Sequence, residues 1–163
     1  MSDNLYFTKK GFERANEMKS RLFDELKKIQ GGKGEAAEVG GNEWHDNFAF
    51  EQLCRDEDML NKRIAEFLKK MKRAVLVDDF PDNNDFVRIG TIVTLYNETE
   101  DKELVYEVGG HGDTNLESNP PIVAYDAPIM RPFFLKDEGT VKKVPIRGKV
   151  VEISVEKIEL RGD

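Results

Sequence analysis

The chain has 163 residues, a formal charge of −7 and a pI near 5.0, with 39% hydrophobic residues and 10 Phe. This is enough apolar material for one ordinary domain or two small ones, and it excludes a protein that holds free nucleic acid through a basic face. No run approaches the ~18 apolar residues of a membrane span, and the single cysteine, Cys54, excludes an internal disulfide. The opening "MSDNLYFTKK" lacks the charged-then-apolar order of a signal peptide, so a cytoplasmic protein without membrane contact is expected.

From Phe12 to Ile29, the apolar residues Phe12, Ala15, Met18, Leu22, Leu26 and Ile29 recur at steps of three or four, the pattern of one helix face. "GGKG" at 31–34 is expected to stop that helix, because glycine is a poor helix-interior residue. A second pattern runs through Phe50, Leu53, Glu57, Leu60, Ile64, Phe67, Met71 and Ala74, a helix of nearly 30 residues in which only Glu57 is out of character. Cys54, inside this pattern, reads as a half-buried structural thiol. Two amphipathic helices joined by a turn can bury each other's stripes as an antiparallel hairpin. The alternative is that both pack onto a globular core, against which stand the length of the second pattern and its narrow stripe.

"DDFPDNNDF" at 78–86 reads as a linker, after which the period becomes two. "VRIGTIVTLY" (87–96), "ELVYEVGG" (103–110), "PIVAYD" (121–126), "VKKVPI" (141–146) and "KVVEISVEKIEL" (149–160) are strand-like, with "RG" at 147–148 as a tight hairpin. Near "MRPFFLKDEG", Pro132 limits any helix to a turn or starts it. The expected class is α+β: a helical hairpin over 1–77, the linker, and a mostly antiparallel β domain over 87–163. His111, in "GGHGDTN", reads as a turn residue.

There is no P-loop, and His45 and His111 lie in different halves without a Cys cluster, so neither a phosphate cradle nor a structural zinc site is indicated. In "GGNEWHDNF" (40–48), Glu43 and Asp46 stand three apart, a spacing that puts both on one side of a helix. Two carboxylates fall short of the roughly six oxygens that Mg²⁺ prefers, so they are useful only where another molecule supplies the rest. Acids in a first helical turn equally complement the helix dipole, and Asn42 or Asp46 can serve as a cap.

These residues resemble the GreA/GreB transcript-cleavage factors of bacteria. "EWHDN" (43–47) resembles that family's Asp-x-x-Glu-Asn tip with its two acids exchanged, and Gly11 stands about as far before it as the family's glycine in the first helix. "RIGTIVTL" resembles the start of its FKBP-like C-terminal domain, "YEVGG" its central strand, and "YDAPI" its Ser-Pro-Ile segment with Ala127 for serine. The "GGKGEAAEVGG" stretch departs from the family, whose first arm runs as helix almost to the tip.

The resemblance implies a coiled-coil hairpin with an acidic tip at about 40–48, followed by an FKBP-like domain. It implies a transcription elongation factor, monomeric and not itself an enzyme, that enters the secondary channel of RNA polymerase and stimulates cleavage of the backtracked RNA 3′ end. Glu43 and Asp46 would hold a second Mg²⁺ jointly with the polymerase, with no cofactor bound alone. Trp44, Asn47 and Phe48 would support the tip, while Asp126, Pro128 and Ile129 would dock at the channel rim. Lys33 and Arg55 are candidate RNA contacts. The rivals are a channel-binding inhibitor that does not stimulate cleavage and an FKBP-like prolyl isomerase or chaperone.

Overall fold

The computed structural model describes residues 3–39 and 48–162, and the side chains of 37–39 are outside that description. The chain divides into two compact units, one of Met1–Leu5 with Glu13–Ala74, the other of Tyr6–Phe12 with Val75–Asp163.

The first unit is a pair of antiparallel helices, α1 (Lys9–Val39, whose first turn belongs to the second unit) and α2 (Phe48–Met71). Leu22, Leu60 and Ile64 are buried between them, with Leu26, Ile29, Phe67 and Leu68 packed alongside. Seven apolar side chains make a narrow seam, as the steps of three and four require.

Two expectations about these helices are corrected. "GGKG" does not stop α1, which continues to Val39. The seam continues through the glycines, because half-buried Ile29, Lys33 and Ala36 keep the four-three spacing. Gly32 stands where an added Cβ would meet Leu53 at 3.4 Å, and Lys33 reaches Glu57. Packing thus outweighs the roughly 1 kcal/mol that each glycine costs a helix. At the other end, α2 stops at Met71 and Ala74 begins a strand. The Arg73 amide bonds the Lys70 carbonyl, tightening the last turn, and β-branched Val75 and Val77 follow.

Strands β1 (Leu5–Phe7) and β2 (Ala74–Leu76), neither anticipated from the sequence, form a two-stranded sheet. The Val77 amide donates to the Phe7 carbonyl at 2.9 Å.

The rest of the second unit is built on a five-stranded sheet of order β5-β4-β3-β7-β6. Its strands are β3 (Thr91–Asn97), β4 (Lys102–Gly109), β5 (Ile122–Ala124), β6 (Val141–Ile146) and β7 (Lys149–Leu160). All pairings are antiparallel except β4 with β5. Alternation along β3 buries Thr91, Val93, Leu95 and Asn97 on one face. Phe133 and Met130, fully buried, cover that face from a 3-10 turn at Arg131–Phe133 that Pro132 helps begin. Arg147 and Gly148, with φ of 51° and 79°, close the β6–β7 hairpin in the left-handed conformation of a type I′ turn.

The Pro/Asp/Asn segment 78–86 is fastened to this sheet. Gly90 has φ of 95°, and a Cβ there would lie 2.0 Å from the Asp79 carbonyl oxygen, an approach only glycine permits. Arg161 binds Asp79 and Glu107, each at 3.1 Å, and its guanidinium lies 4.1 Å from the Phe80 ring centroid. Burial works against the Arg161 charge, but the hydrogen bonds to Asp79 and Glu107 outweigh it and hold the guanidinium above its ordinary range.

Candidate functional site

Glu43, Trp44, Asp46 and Asn47 lie outside the described residues. The ends that flank them are described. Helix α1 reaches Val39 and α2 begins at Phe48, whose ring is 71% exposed. Among the described residues, no group of three or more His, Cys, Asp or Glu side chains is placed to hold a metal ion.

The side chains near these flanking ends form one polar station in the apolar seam. Lys33 Nζ donates to Glu57 Oε1 at 3.0 Å and lies 5.8 Å from the Phe50 ring centroid. The hydrogen bond to Glu57 raises the lysine pKa, against a smaller opposing effect of desolvation. Lys33 is therefore committed to its own hairpin. Arg55 is engaged by Gln52 one helical turn back, at 3.0 Å.

In the second unit, the three expected docking residues fall on one short stretch with different surroundings. The Ala127 carbonyl accepts from the Met130 amide at 2.9 Å and the Arg131 amide at 2.8 Å, closing a turn. Pro128 on that turn is exposed and Ile129 is half-buried, packed against the domain core. Asp126 is not free. Its Oδ2 lies 2.6 Å from His111 Nδ1, and the imidazole also meets the Phe7 ring edge-on at 5.4 Å. This ties the β4–β5 connection to the stretch 126–129 through residues 15 apart in sequence, and no local pattern signals the pair.

Tyr125, next to Asp126, accepts a hydrogen bond from the Tyr6 amide on its phenolic oxygen at 3.0 Å. Its ring packs tilted against those of Tyr6 and Phe134, with centroids 5.5 and 4.8 Å away. Burial pushes its phenol up, so the hydroxyl keeps its proton.

Two grooves flank this region. One, of about 430 Å³, is lined by Tyr6, Phe80, Ile89, Phe134 and Leu135, with Asp78, Asp82 and Arg88 among its polar residues. The Arg88 Nε is buried there without a partner. The other, of about 380 Å³, includes Ile129.

Residues 82–160 match the family described as "Transcription elongation factor, GreA/GreB, C-term". Over nearly the whole length, the chain is similar to transcription elongation factor GreA of Trichlorobacter lovleyi, 26% identical over 162 residues, covering 98% of this chain and 100% of that protein. It is 25% identical over 147 residues to GreA of Nitrobacter hamburgensis, covering 90% of each. Among solved structures, GreA factor homolog 1 (Gfh1) of Thermus thermophilus aligns over 96% of this chain and 99% of its own, at 18% identity and a TM-score of 0.42. GreA/GreB from Nitrosomonas europaea aligns over 96% and 98%, at 12% identity and a TM-score of 0.40. No described helix is long and apolar enough to cross a membrane.

Proposed function

Since this chain belongs to the GreA/GreB family of transcription elongation factors, we propose that it binds RNA polymerase through the secondary channel, as a monomer, and stimulates the polymerase's own cleavage of backtracked RNA. One observation carries the reading. Two antiparallel helices, closed by an apolar seam and an ion pair, flank in the chain the sequence containing Glu43 and Asp46.

In this reading, Glu43 and Asp46 contribute carboxylate oxygens to a Mg²⁺ that the polymerase holds jointly. Such an ion supplies electrostatic stabilisation of the phosphate and a more acidic water. Two carboxylates suit that shared role, since alone they leave most of the coordination shell empty. Asn47 and Trp44 support the geometry of the tip, and exposed Phe48 is free to touch the channel wall. Pro128 and Ile129 dock at the channel rim, and Asp126, held by His111, stabilises the docking stretch.

The test is cleavage in stalled, backtracked elongation complexes. Added protein should speed transcript shortening, and Asp46→Asn or Glu43→Gln should abolish that effect while polymerase binding persists. Equal stimulation by the double variant would remove the role of the acids. Binding without faster cleavage would instead mark a channel-bound regulator.

The aromatic groove of Tyr6, Phe80 and Phe134 favours a second reading, an FKBP-like prolyl isomerase or peptide-binding activity of the β domain. A prolyl-peptide isomerisation assay separates the two, and an unchanged rate at high protein concentration rejects this one.

A further inference from the structure

The apolar cluster between α1 and α2 ends at Ile29 on one helix and Leu60 on the other. Beyond it, toward the sequence 40–47, the two helices are joined by a polar clamp. The Lys33 ammonium donates to Glu57 at 3.0 Å and lies 5.8 Å from the Phe50 ring centroid. Beside it, Gly32 brings the α1 backbone over Leu53, where an added Cβ would sit at 3.4 Å. The clamp lies six residues before the end of α1 at Val39 and nine after the start of α2 at Phe48. Those spans are roughly 9 and 14 Å along the helix axes.

A purely apolar seam is tolerant of slippage, because one leucine packs against another much as it does against its neighbour. The clamp is not. The seam positions on either side of Glu57 are Leu53 and Leu60, four residues before it and three after. A slip of one turn in either direction would set the half-buried Lys33 ammonium against a leucine and leave the half-buried Glu57 carboxylate without its cation. Well-packed apolar side chains at these two positions would hold the helices at least as tightly, so what the ions add is the choice of register.

Register matters at a metal. A slip of one turn moves one helix by about 5.4 Å against the other. Mg²⁺ holds its oxygens at about 2.0–2.1 Å, and a misplacement of about 1 Å can cost on the order of 100-fold in rate. We propose that Lys33 and Glu57 are positioning residues for the shared-metal chemistry, a role that rests on the cleavage reading above. Their bond sets the register of α1 against α2, and so where Glu43 and Asp46 meet the Mg²⁺ of the polymerase.

The test uses the full chain in stalled, backtracked elongation complexes, with stimulation at saturating protein measured beside polymerase affinity. Lys33→Met with Glu57→Leu, whose apolar side chains keep the helices packed, should lower the saturating cleavage rate at least about tenfold while affinity stays within about twofold. The reversed pair, Lys33→Glu with Glu57→Lys, should restore most of the rate. A role in stability alone would move the melting midpoint and leave the saturating rate of a folded variant unchanged. Spin labels on Glu35→Cys and Glu51→Cys, in a Cys54→Ser background, should report one narrow distance with the native pair and a broader or split one with the apolar pair. Full stimulation by the apolar variant overturns the proposal, as does an unchanged label distance or a reversed pair no faster than the apolar one. Should the apolar variant not fold, Lys33→Gln decides by the same comparison of rate with affinity. If the unaltered protein binds polymerase but does not speed cleavage, the cleavage reading and this proposal fall together. If it speeds cleavage and Glu43→Gln abolishes the effect, while the apolar variant matches the unaltered protein, only this proposal falls.

Discussion

Lys33 Nζ and Glu57 Oε1 lie 3.0 Å apart across the helical pair, each on the side of its helix that faces the other. The contact accounts for the acid in the α2 heptad pattern and for the helical state of the glycine-rich stretch that holds Lys33. A polar pair at one seam position fixes the register of two helices, because a slip would leave one charge facing hydrocarbon.

Lys33→Met should therefore lower the thermal midpoint followed by circular dichroism, since Glu57 keeps its place without its cation. Lys33→Met combined with Glu57→Leu should recover the midpoint or exceed it. The lysine is held above its ordinary value of 10.5 by the bond to Glu57. Its stabilising contribution is then complete below about pH 10.5 and is lost as pH rises through the higher folded value. The difference between the unaltered protein and Lys33→Met should shrink over that alkaline range, and a constant difference would show that the pair carries no coupling.

Gly31 and Gly34 lie inside α1, and an added Cβ at either meets nothing within 4 Å. Alanine at each should stabilise the hairpin by about 0.5–1 kcal/mol, because glycine loses more backbone freedom on folding. Urea denaturation checks this. A loss of stability in Gly31→Ala would contradict a continuous helix through the glycine-rich stretch.

His111 and Asp126 are each about one-fifth exposed and bonded at 2.6 Å. His111→Ala should cost about 1.5–3 kcal/mol of β-domain stability, the range of a hydrogen bond to a charged group. Asp126→Asn should cost stability as well as docking, whereas exposed Pro128→Ser should affect docking alone. Chemical denaturation beside polymerase titration distinguishes these outcomes. An Asp126→Asn protein of unchanged stability would return Asp126 to a purely docking role.

Arg147→Asn should stabilise the β6–β7 hairpin by about 0.5–1 kcal/mol, since Asn tolerates the left-handed conformation better than Arg does. Thermal unfolding reads this effect, and a less stable variant would contradict the turn geometry.

Much of this fold was legible in the sequence because its signals are local. A run such as "VKKVPIRGKVVEIS" carries alternation, an edge-blocking proline and a turn dipeptide within a few residues, and strands β6 and β7 appear where those signals lie. The seam residues Leu22, Leu26, Ile29, Leu60, Ile64 and Phe67 were equally plain, since a period of three and four is a property of one helix at a time. The order of "EWHDN", "YEVGG" and "YDAPI" was sufficient to point to the GreA/GreB family, whose C-terminal model residues 82–160 match.

The tertiary structure decided what depends on partners distant in the chain. It kept Gly31 to Gly34 helical, because packing across the seam outweighed a local propensity of about 1 kcal/mol per glycine. It drew Ala74 out of the α2 pattern into a strand and gave Asp126 a histidine from another loop. Periodicity reports which side of an element meets something apolar. Which charge meets which is fixed only when the whole chain has closed.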